Sequence, residues 1–355
     1  MKTKSNDYSC PIMRHQLTIN QLGRVMPCCH FGEHVPIDQY KEITTKYAER
    51  LEAGEKIPQC NGCWKTEERG LVSVRQSAIN NYEQNYADNN GINAMDIRLH
   101  NKCNMACNMC GSYNSTLWGK IEGKEEVHTI GETNLQYVYS LANNVTKLSI
   151  QGGESFYGNE FVNFVDNFPT KKDLTLDVFT NVVTTDISVV RRWHNECKSL
   201  LINASIDGTD ETFEYIRWPG TWKKAQRKTK QIYEIIGGRL KHFFAIQSAN
   251  LENIFDFIEW RNTHTPDSEI VFNLVEGPKE LSIDASTQQE RDNFIETFNY
   301  YKGYLSDRER YDLTAVYDLC KELQDDEILL NMRNVKNSKT NQIRENYLKR
   351  NDPKI

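Results

Sequence analysis

The sequence lacks an apolar run long enough to cross a membrane, and residues 1–7 lack the hydrophobic core of a signal peptide. We therefore expect a cytoplasmic protein that makes no contact with a membrane. A net charge of −6 argues against a dedicated nucleic-acid-binding protein. Hydrophobic residues make up 38% and charged residues 26% of the chain, which is typical of a globular protein on the polar side. Its 355 residues can form one large domain and one small one.

Cysteine is not scarce, but it is unevenly distributed. The chain has 10 cysteines, and all but Cys197 and Cys320 lie before residue 111. In a reducing compartment, clustered cysteines indicate metal ligation rather than disulfide bonds. The cysteines form one group near the N-terminus and a second group at residues 103–110.

The second group is a CxxxCxxC run of Cys103, Cys107 and Cys110. It follows an alternating segment, residues 95–100, that predicts a β-strand. Three thiolates on one short loop can ligate three irons of a [4Fe–4S] cluster and leave the fourth iron open to a non-protein ligand. The alternative is structural zinc, which needs four closed ligands. No further cysteine follows until Cys197, although His100 could complete a zinc set.

A Gln-Gly-Gly-Glu segment at residues 151–154 ends the second predicted strand of this region. Two glycines let the backbone approach a ligand closely, and the Glu154 carboxylate can pair with an ammonium group. Together with the cysteine run, this segment resembles the radical SAM superfamily. The resemblance implies that Cys103, Cys107 and Cys110 hold a [4Fe–4S] cluster on which S-adenosylmethionine (SAM) binds. It also implies reductive cleavage of SAM to a 5′-deoxyadenosyl radical that abstracts hydrogen from a substrate.

The same resemblance implies which residues bind SAM. The segment at 152–154 would bind its amino group, and the polar ends of two later strands would lie near its ribose and carboxylate. A carboxylate-binding arginine and an apolar contact to adenine complete the set. The implied SAM-binding residues are Gly152, Gly153, Glu154, Ser205, Asp207, Asn181, Arg217 and Met109. From the residues alone, a surface salt bridge for Arg217 and plain packing for Met109 remain alternatives.

The N-terminal cysteines surround a predicted hairpin, in which residues 16–20 and 24–26 form strands around a turn. Four thiolates can surround one cluster, and tetrahedral zinc is the alternative. The arrangement resembles the twitch domain, the half-sized relative of the SPASM domain that holds an auxiliary [4Fe–4S] cluster. Its position before the core resembles phage and bacterial twitch-domain radical SAM proteins. The expected ligands are Cys10, Cys28, Cys60 and Cys63, and Cys29 can substitute for Cys28.

Beyond residue 110, short apolar strands alternate with amphipathic helical stretches, which predicts parallel βαβ units. The six predicted strands lie at 95–100, 147–151, 174–181, 200–207, 241–247 and 270–275. They suit the α/β fold that the resemblance implies: a partial (β/α)6 TIM-like barrel, a small N-terminal twitch-like domain and a helical C-terminal extension. We expect these three parts at residues 92–280, 1–75 and 281–355, respectively.

One face of the first predicted strand is polar, because Asp96, Arg98 and His100 alternate with apolar residues. Helices cover the outside of such a barrel, so we expect these three side chains to point inward. They would either contact a polar substrate or SAM, or form an ion-pair network that braces the barrel.

The expected function is therefore that of a radical SAM enzyme with two [4Fe–4S] clusters and an external one-electron reductant of the flavodoxin or ferredoxin kind. The substrate is a peptide or protein, or a nucleotide, sugar or amino-acid derivative. The alternative is a non-catalytic Fe–S or zinc protein for electron transfer or scaffolding, which would not need a site for the SAM amino group. Residues 331–355 hold seven Lys/Arg and two Asp/Glu, which predicts a solvated or disordered basic end or, alternatively, a contact for phosphates.

Overall fold

The structure is a computed structural model that describes residues 8–68, 72–80 and 91–351. Residues 1–7, where the sequence shows no signal-peptide core, and 352–355 of the basic end lie outside the described residues. The strands in the described ranges are β1 (Gln16–Ile19), β2 (Arg24–Met26), β3 (Val35–Pro36), β4 (Ala94–Ile97), β5 (Lys147–Ile150), β6 (Thr175–Thr180), β7 (Ser199–Ser205), β8 (Leu240–Ile246) and β9 (Glu269–Leu274).

The α-helices in these ranges vary in length, and the longest lies at the C-terminal end. They are α1 (Ile12–His15), α2 (Tyr40–Glu52), α3 (Asn61–Glu68), α4 (Val74–Asn80), α5 (Thr116–Glu122), α6 (Glu132–Leu141), α7 (Glu160–Asp166), α8 (Ile187–Glu196), α9 (Asp210–Ile216), α10 (Trp222–Ile236), α11 (Ile254–His264), α12 (Gln288–Tyr301), α13 (Asp307–Glu322) and α14 (Glu327–Asn351). No helix in the described part of the chain is both long and apolar enough to span a bilayer.

The described residues form two compact units. The first contains the residues up to Asn101 together with Val127–Val178 and Arg192–Leu200, and the second contains Lys102–Glu126, Phe179–Arg191 and the residues from Leu201 onward. The predicted division at 1–75, 92–280 and 281–355 stays a prediction.

The strands of the first unit run in the order β3-β2-β1-β4-β5-β6. The predicted hairpin is present, since β1 pairs with β2 in antiparallel fashion. Its first strand also pairs in parallel with β4, which places Thr18 opposite Asp96. The pairs β4–β5 and β5–β6 are parallel as well. The hairpin therefore extends the edge of the parallel sheet in this unit.

In the second unit, β7, β8 and β9 pair in parallel. Helices α9 and α10 lie between β7 and β8 in the chain, and α11 lies between β8 and β9. Alternate residues of β8 are fully buried, as in a strand with one face against the core. The six parallel strands β4–β9 and the helices between them confirm the predicted α/β fold.

The first core strand is shorter than predicted, because β4 ends at Ile97 rather than at residue 100. Beyond it, the Leu99 carbonyl accepts a hydrogen bond from the Ile130 amide, and His100 forms an isolated antiparallel bridge with Thr129. The chain has therefore left the parallel ladder before His100, and the alternation of faces does not extend to that residue.

The C-terminal part is helical, as predicted. Helix α12 begins with a capping box, in which Thr287 accepts from the Glu290 amide and Glu290 accepts from the Thr287 amide. Glu290 also forms a bidentate ion pair with Arg333 of α14, in which both Nη–Oε distances are 2.7 Å. The basic end is helical through Asn351 and most of its described residues are exposed or half-buried, so of the two predicted alternatives the segment is solvated rather than disordered.

A buried histidine makes the stability of the second unit depend on pH. His242 of β8 is fully buried, and its ring packs edge-on against Phe257 and Trp260. Burial lowers the pKa of His242 from its ordinary value of 6.5 to about 3, and the nearby Arg261 adds to the effect. Below pH 6.5, His242 is therefore protonated in the unfolded chain but stays neutral in the folded chain. Stability falls as the pH drops from 6.5 towards 3, by up to ~1.4 kcal/mol per pH unit.

We predict that His242→Phe, which keeps a ring at this position, removes this contribution. Melting temperatures of the wild type and the variant, measured anaerobically from pH 7.5 to pH 5, should draw together or cross in favour of the variant as the pH falls. Parallel melting profiles over this range would contradict the assignment of the pH dependence to His242.

Candidate functional site

The loop that carries Cys103, Cys107 and Cys110 belongs to the second unit and is held by the helix that follows it. Ser115 caps α5 by accepting from the Trp118 amide, and its hydroxyl donates to the Met105 carbonyl at 2.5 Å. Thr116 Oγ1 accepts from the Cys103 amide at 3.1 Å and donates to the Cys103 carbonyl at 3.3 Å. Trp118 Nε1 donates to the Cys107 carbonyl at 2.8 Å. The first turn of α5 therefore satisfies three carbonyls of the loop.

Residues after α9 hold the loop from another side. The Ala106 amide donates to the Trp218 carbonyl at 2.7 Å, and the Asn108 amide donates to the Ile216 carbonyl at 3.0 Å. The Ala106 carbonyl accepts from Arg344 Nη2 of α14 at 3.0 Å. Because the polar groups of the loop backbone are paired within the protein, the loop keeps one shape while its thiols are presented for other bonds.

The thiols lie in a poorly solvated environment. Cys107 is buried, and Cys103 and Cys110 are half-buried. Burial raises the pKa of Cys107 and raises the pKa of Cys110 to about 12. Since the thiolate is the form that binds iron or zinc, positive charge is needed here to favour it. Arg217 supplies such a charge, with Nη1 at 3.8 Å from Cys107 Sγ.

Arg217 also forms a buried ion pair with Asp207, with Nε at 2.5 Å from Oδ2. Asp207 is fully buried, and its Oδ1 accepts from the Ala245 amide at 2.8 Å. Although burial opposes it, the charge of Asp207 raises the pKa of Arg217. Asn250 donates to the backbone carbonyls of Asp207 and Ala245 and so connects the two strand ends. Arg217 does form an ion pair, but its partner is fully buried and its own side chain is only 14% exposed, so the pair does not lie openly on the surface.

The remaining SAM-binding candidates of this unit lie around the same loop or strand end. Asn181 is buried, and its Nδ2 donates to Asn104 Oδ1 of the cysteine loop at 2.9 Å. Ser205 is the last residue of β7 and is half-buried. Met109 is half-buried within the loop. Their roles toward SAM stay predictions.

In the first unit, the glycine pair follows β5 in a conformation that favours glycine. Gly152 has φ +92° and Gly153 has φ +52°. A Cβ atom at position 152 would lie 2.9 Å from Arg98 Cβ, so a larger residue would collide with the Arg98 side chain directly after β4. Glu154 is 1% exposed, and its Oε1 accepts from the Phe156 amide at 3.0 Å. The turn therefore places a buried carboxylate after the strand end.

The three polar residues predicted on the first strand have different surroundings. Asp96 is buried and accepts from Gln151 Nε2 at 2.6 Å. Burial raises the pKa of Asp96, an effect that this hydrogen bond and the charge of Arg98 oppose. The Arg98 Nε atom is buried and makes no hydrogen bond within the described residues. His100 instead packs edge-on against Phe161 of α7, with ring centroids 4.9 Å apart.

The N-terminal cysteines come together in the first unit. Cys63 belongs to a buried apolar cluster with Trp64 and Leu51, and Cys10, Cys28 and Cys60 pack against that cluster. Burial raises the pKa of Cys10 to about 11 and that of Cys60 to about 12, and it also raises the pKa of Cys28 well above its ordinary value. Cys29, by contrast, is exposed. The geometry thus groups the four predicted ligands and leaves Cys29 at the surface.

The donor sets can be compared with zinc and with an Fe–S cluster. Within the described ranges, no three His, Cys, Asp or Glu side chains converge as they would on a single metal ion. Zinc requires four ligand atoms about 2.0–2.3 Å from one centre. A [4Fe–4S] cluster takes one thiolate per iron, so its cysteines stand further apart. The choice between a cluster and zinc at the loop 103–110 and at the N-terminal cysteines therefore stays a prediction.

Sequence reasoning missed several residues that shape this site. Ser115 and Thr116 carry a signal, because Ser followed by a helical run predicts a helix cap. Asn104, Trp118 and Arg344 carry none, since their contacts depend on segments far apart in the chain.

No protein-family model matches the chain, and no curated protein matches it. Among solved structures, it is similar to native anSMEcpe with bound AdoMet, at 16% identity and a TM-score of 0.43, over 57% of this chain and 58% of that one. It is also similar to Streptococcus suis SuiB bound to S-adenosylmethionine, at 11% identity and a TM-score of 0.42, over 82% of this chain and 70% of that one. A third structure is TYW1 with a lysine-pyruvate adduct bound, at 12% identity and a TM-score of 0.35, over 56% and 70%.

The match thus spans less than two thirds of the length of anSMEcpe.

We predict that Arg217→Met destabilises the protein by ~3–5 kcal/mol, because it leaves the Asp207 carboxylate buried without its counter-charge. The double variant Asp207→Asn/Arg217→Met should recover part of this loss, since the uncompensated charge is then removed. Both are measured by anaerobic chemical unfolding. Additive losses in the double variant would contradict the ion-pair assignment.

Proposed function

We propose that this chain is a radical SAM enzyme with one auxiliary cluster. The observation that carries the proposal is the cysteine loop itself. Cys103, Cys107 and Cys110 are presented by a loop whose backbone is paired from several sides, and a guanidinium group lies against Cys107 Sγ. Three thiols on such a loop suit a cluster with one iron left open, and a closed zinc site needs a fourth ligand.

Cys103, Cys107 and Cys110 would hold this cluster. When bound there and reduced, a [4Fe–4S] cluster supplies the electron that cleaves SAM to a 5′-deoxyadenosyl radical. The contribution of the chain is to bind and orient SAM and to exclude water from the reaction. The burial of Cys107 and Asp207 in the second unit supports this proposed exclusion of water.

The resemblance implies partners for both charged ends of the SAM methionyl group, and we propose them residue by residue. Glu154, held by the Phe156 amide, would pair with the ammonium group. Arg217 would bind the carboxylate, because its fork of donors suits a carboxylate and one end already lies beside Cys107. Asp207 orients Arg217 through their ion pair and accepts from the Ala245 amide, and it is proposed to lie near the SAM ribose and carboxylate, as the resemblance implies. Ser205, Asn181 and Met109 are proposed to complete the contacts, as the resemblance implies.

The auxiliary [4Fe–4S] cluster is proposed to be held by Cys10, Cys28, Cys60 and Cys63. Their common packing on one apolar cluster supports this set, and the exposure of Cys29 favours Cys28 as the ligand from this pair. An external flavodoxin- or ferredoxin-like protein would supply electrons.

The substrate is proposed to be polar, either a peptide or protein or a nucleotide, sugar or amino-acid derivative. Asp96 and Arg98 support a polar substrate, since the first is a buried carboxylate and the second has a buried Nε without a hydrogen bond in the described residues. His100 packs on Phe161, and we assign it a supporting rather than a contacting role.

We predict about eight irons per chain after anaerobic reconstitution, the content of two cubane clusters. Cys103→Ala/Cys107→Ala/Cys110→Ala should retain about four, because the N-terminal set is untouched, and it should produce no 5′-deoxyadenosine from SAM. Iron and zinc are measured together by plasma mass spectrometry. Zinc at either set, or unchanged iron in the triple variant, would refute the two-cluster assignment and favour a scaffold protein.

We predict that Glu154→Gln weakens SAM binding by roughly 30- to 150-fold, because a charge-assisted contact of about 2–3 kcal/mol is lost. Glutamine keeps the oxygen that accepts from Phe156, so the turn and the iron content should be unchanged. Binding is measured by equilibrium dialysis with labelled SAM on iron-loaded protein. Wild-type affinity in a fully loaded variant would remove Glu154 from the site.

A further inference from the structure

The C-terminal helix reaches the cysteine loop through one arginine. Arg344 of α14 is only 4% exposed, and it lies 238 residues from Ala106, whose carbonyl accepts from its Nη2 at 3.0 Å. Its Nη1 donates to the Tyr215 carbonyl at 2.8 Å. The guanidinium also lies near two aromatic rings, 5.6 Å from the centroid of Tyr215 and 5.3 Å from that of Trp218. The side chain is therefore held from several directions.

Among the described residues, no carboxylate contacts this guanidinium: its contacts are two carbonyls and two rings. Burial lowers the pKa of Arg344, as expected for a cation removed from water without an anionic partner. Arg333, eleven residues earlier on the same helix, is instead paired with Glu290. Burying a cation costs free energy unless an anion compensates its charge. A negative group near Arg344 would therefore stabilise the folded protein.

The cysteine loop is where such a group would form. Ala106, the residue before Cys107, accepts from Arg344 through its carbonyl and donates to the Trp218 carbonyl through its N–H. The peptide groups on both sides of Ala106 are therefore fixed. Arg217 lies on Cys107 itself, at 3.8 Å from Sγ. Thiolates and the cluster they hold carry net negative charge, and charge and hydrogen bonding around a cluster set its reduction potential.

We propose that Arg344 is a positioning residue that fixes the cysteine loop and, as a buried counter-charge, raises the reduction potential of the cluster bound there. This inference rests on the proposed function, because it requires a cluster at Cys103, Cys107 and Cys110. It assigns the C-terminal helix a part in electron transfer to SAM: electrons enter the cluster more readily when Arg344 is present. Two cations, Arg217 and Arg344, then face the loop while only Arg217 has a carboxylate partner.

The test compares Arg344→Gln, which removes the charge, with Arg344→Lys, which keeps it, and with Arg333→Gln as the matched control on the same helix. Cluster reduction is followed by electron paramagnetic resonance in anaerobic titrations of the iron-loaded full chain without SAM. The triple cysteine variant identifies which signal belongs to the cluster at residues 103–110.

At a fixed potential, Arg344→Gln should lower the ratio of reduced to oxidised cluster about tenfold, a shift of about 59 mV for one electron. Arg344→Lys should recover most of this ratio, and Arg333→Gln should leave it unchanged. Equal shifts in Arg344→Gln and Arg333→Gln, or none in either, would overturn the proposal. So would a shift in Arg344→Lys as large as that in Arg344→Gln, because the effect would then not depend on charge.

Hydrogen exchange of the 102–111 segment provides a second measurement that does not depend on activity. Arg344→Gln should speed exchange in this segment, and Arg333→Gln should not. Unchanged exchange in Arg344→Gln would refute the positioning role. If the wild type holds no cluster at the loop, the proposed function fails, whereas faster exchange in Arg344→Gln would still support the contact between α14 and the loop.

Discussion

The backbone of the cysteine loop is paired with side chains and carbonyls from distant parts of the second unit, and the candidate chemistry depends on this pairing. A loop of this length has too few internal hydrogen bonds to hold one shape. Thr116 and Trp118 satisfy its carbonyls from α5, and Arg344 does so from α14. The backbone is satisfied in this way, and the thiols of Cys103, Cys107 and Cys110 make long contacts, at 3.4–3.8 Å, to Met105, Arg217 and Gly111.

Buried charge is the second constraint on this unit. The Asp207–Arg217 pair connects the end of β7 to the loop, and its cost of desolvation is offset by close geometry and by the Ala245 amide. Arg344 has no such partner within the described residues. The two cations Arg217 and Arg344 therefore outnumber the carboxylate of Asp207 near the loop. This excess of positive charge would favour thiolates and the reduced form of an anionic cluster.

The two candidate features of the first unit, the glycine pair and the N-terminal cysteines, depend on a turn after a strand and on one apolar cluster. The glycine pair turns the chain after β5 and brings Gly152 against Arg98. The N-terminal cysteines gather because the hairpin, α2 and α3 bury one apolar cluster to which each contributes. Cofactor binding at these cysteines would thus be coupled to the packing of this cluster, as in other metal sites that depend on folding.

The sequence by itself determined the strands from Lys147 onward, the hairpin, the two cysteine groups and the helical character of the C-terminal part, because alternation and spacing are local patterns. It misplaced the end of β4, where a bridge between His100 and Thr129 takes the chain out of the ladder. Only the tertiary structure decided that Arg217 pairs with a fully buried carboxylate and that Arg344 reaches Ala106. A contact across 238 residues leaves no periodic trace in the sequence, and the burial of a charge is a property of its surroundings rather than of its neighbours in the chain.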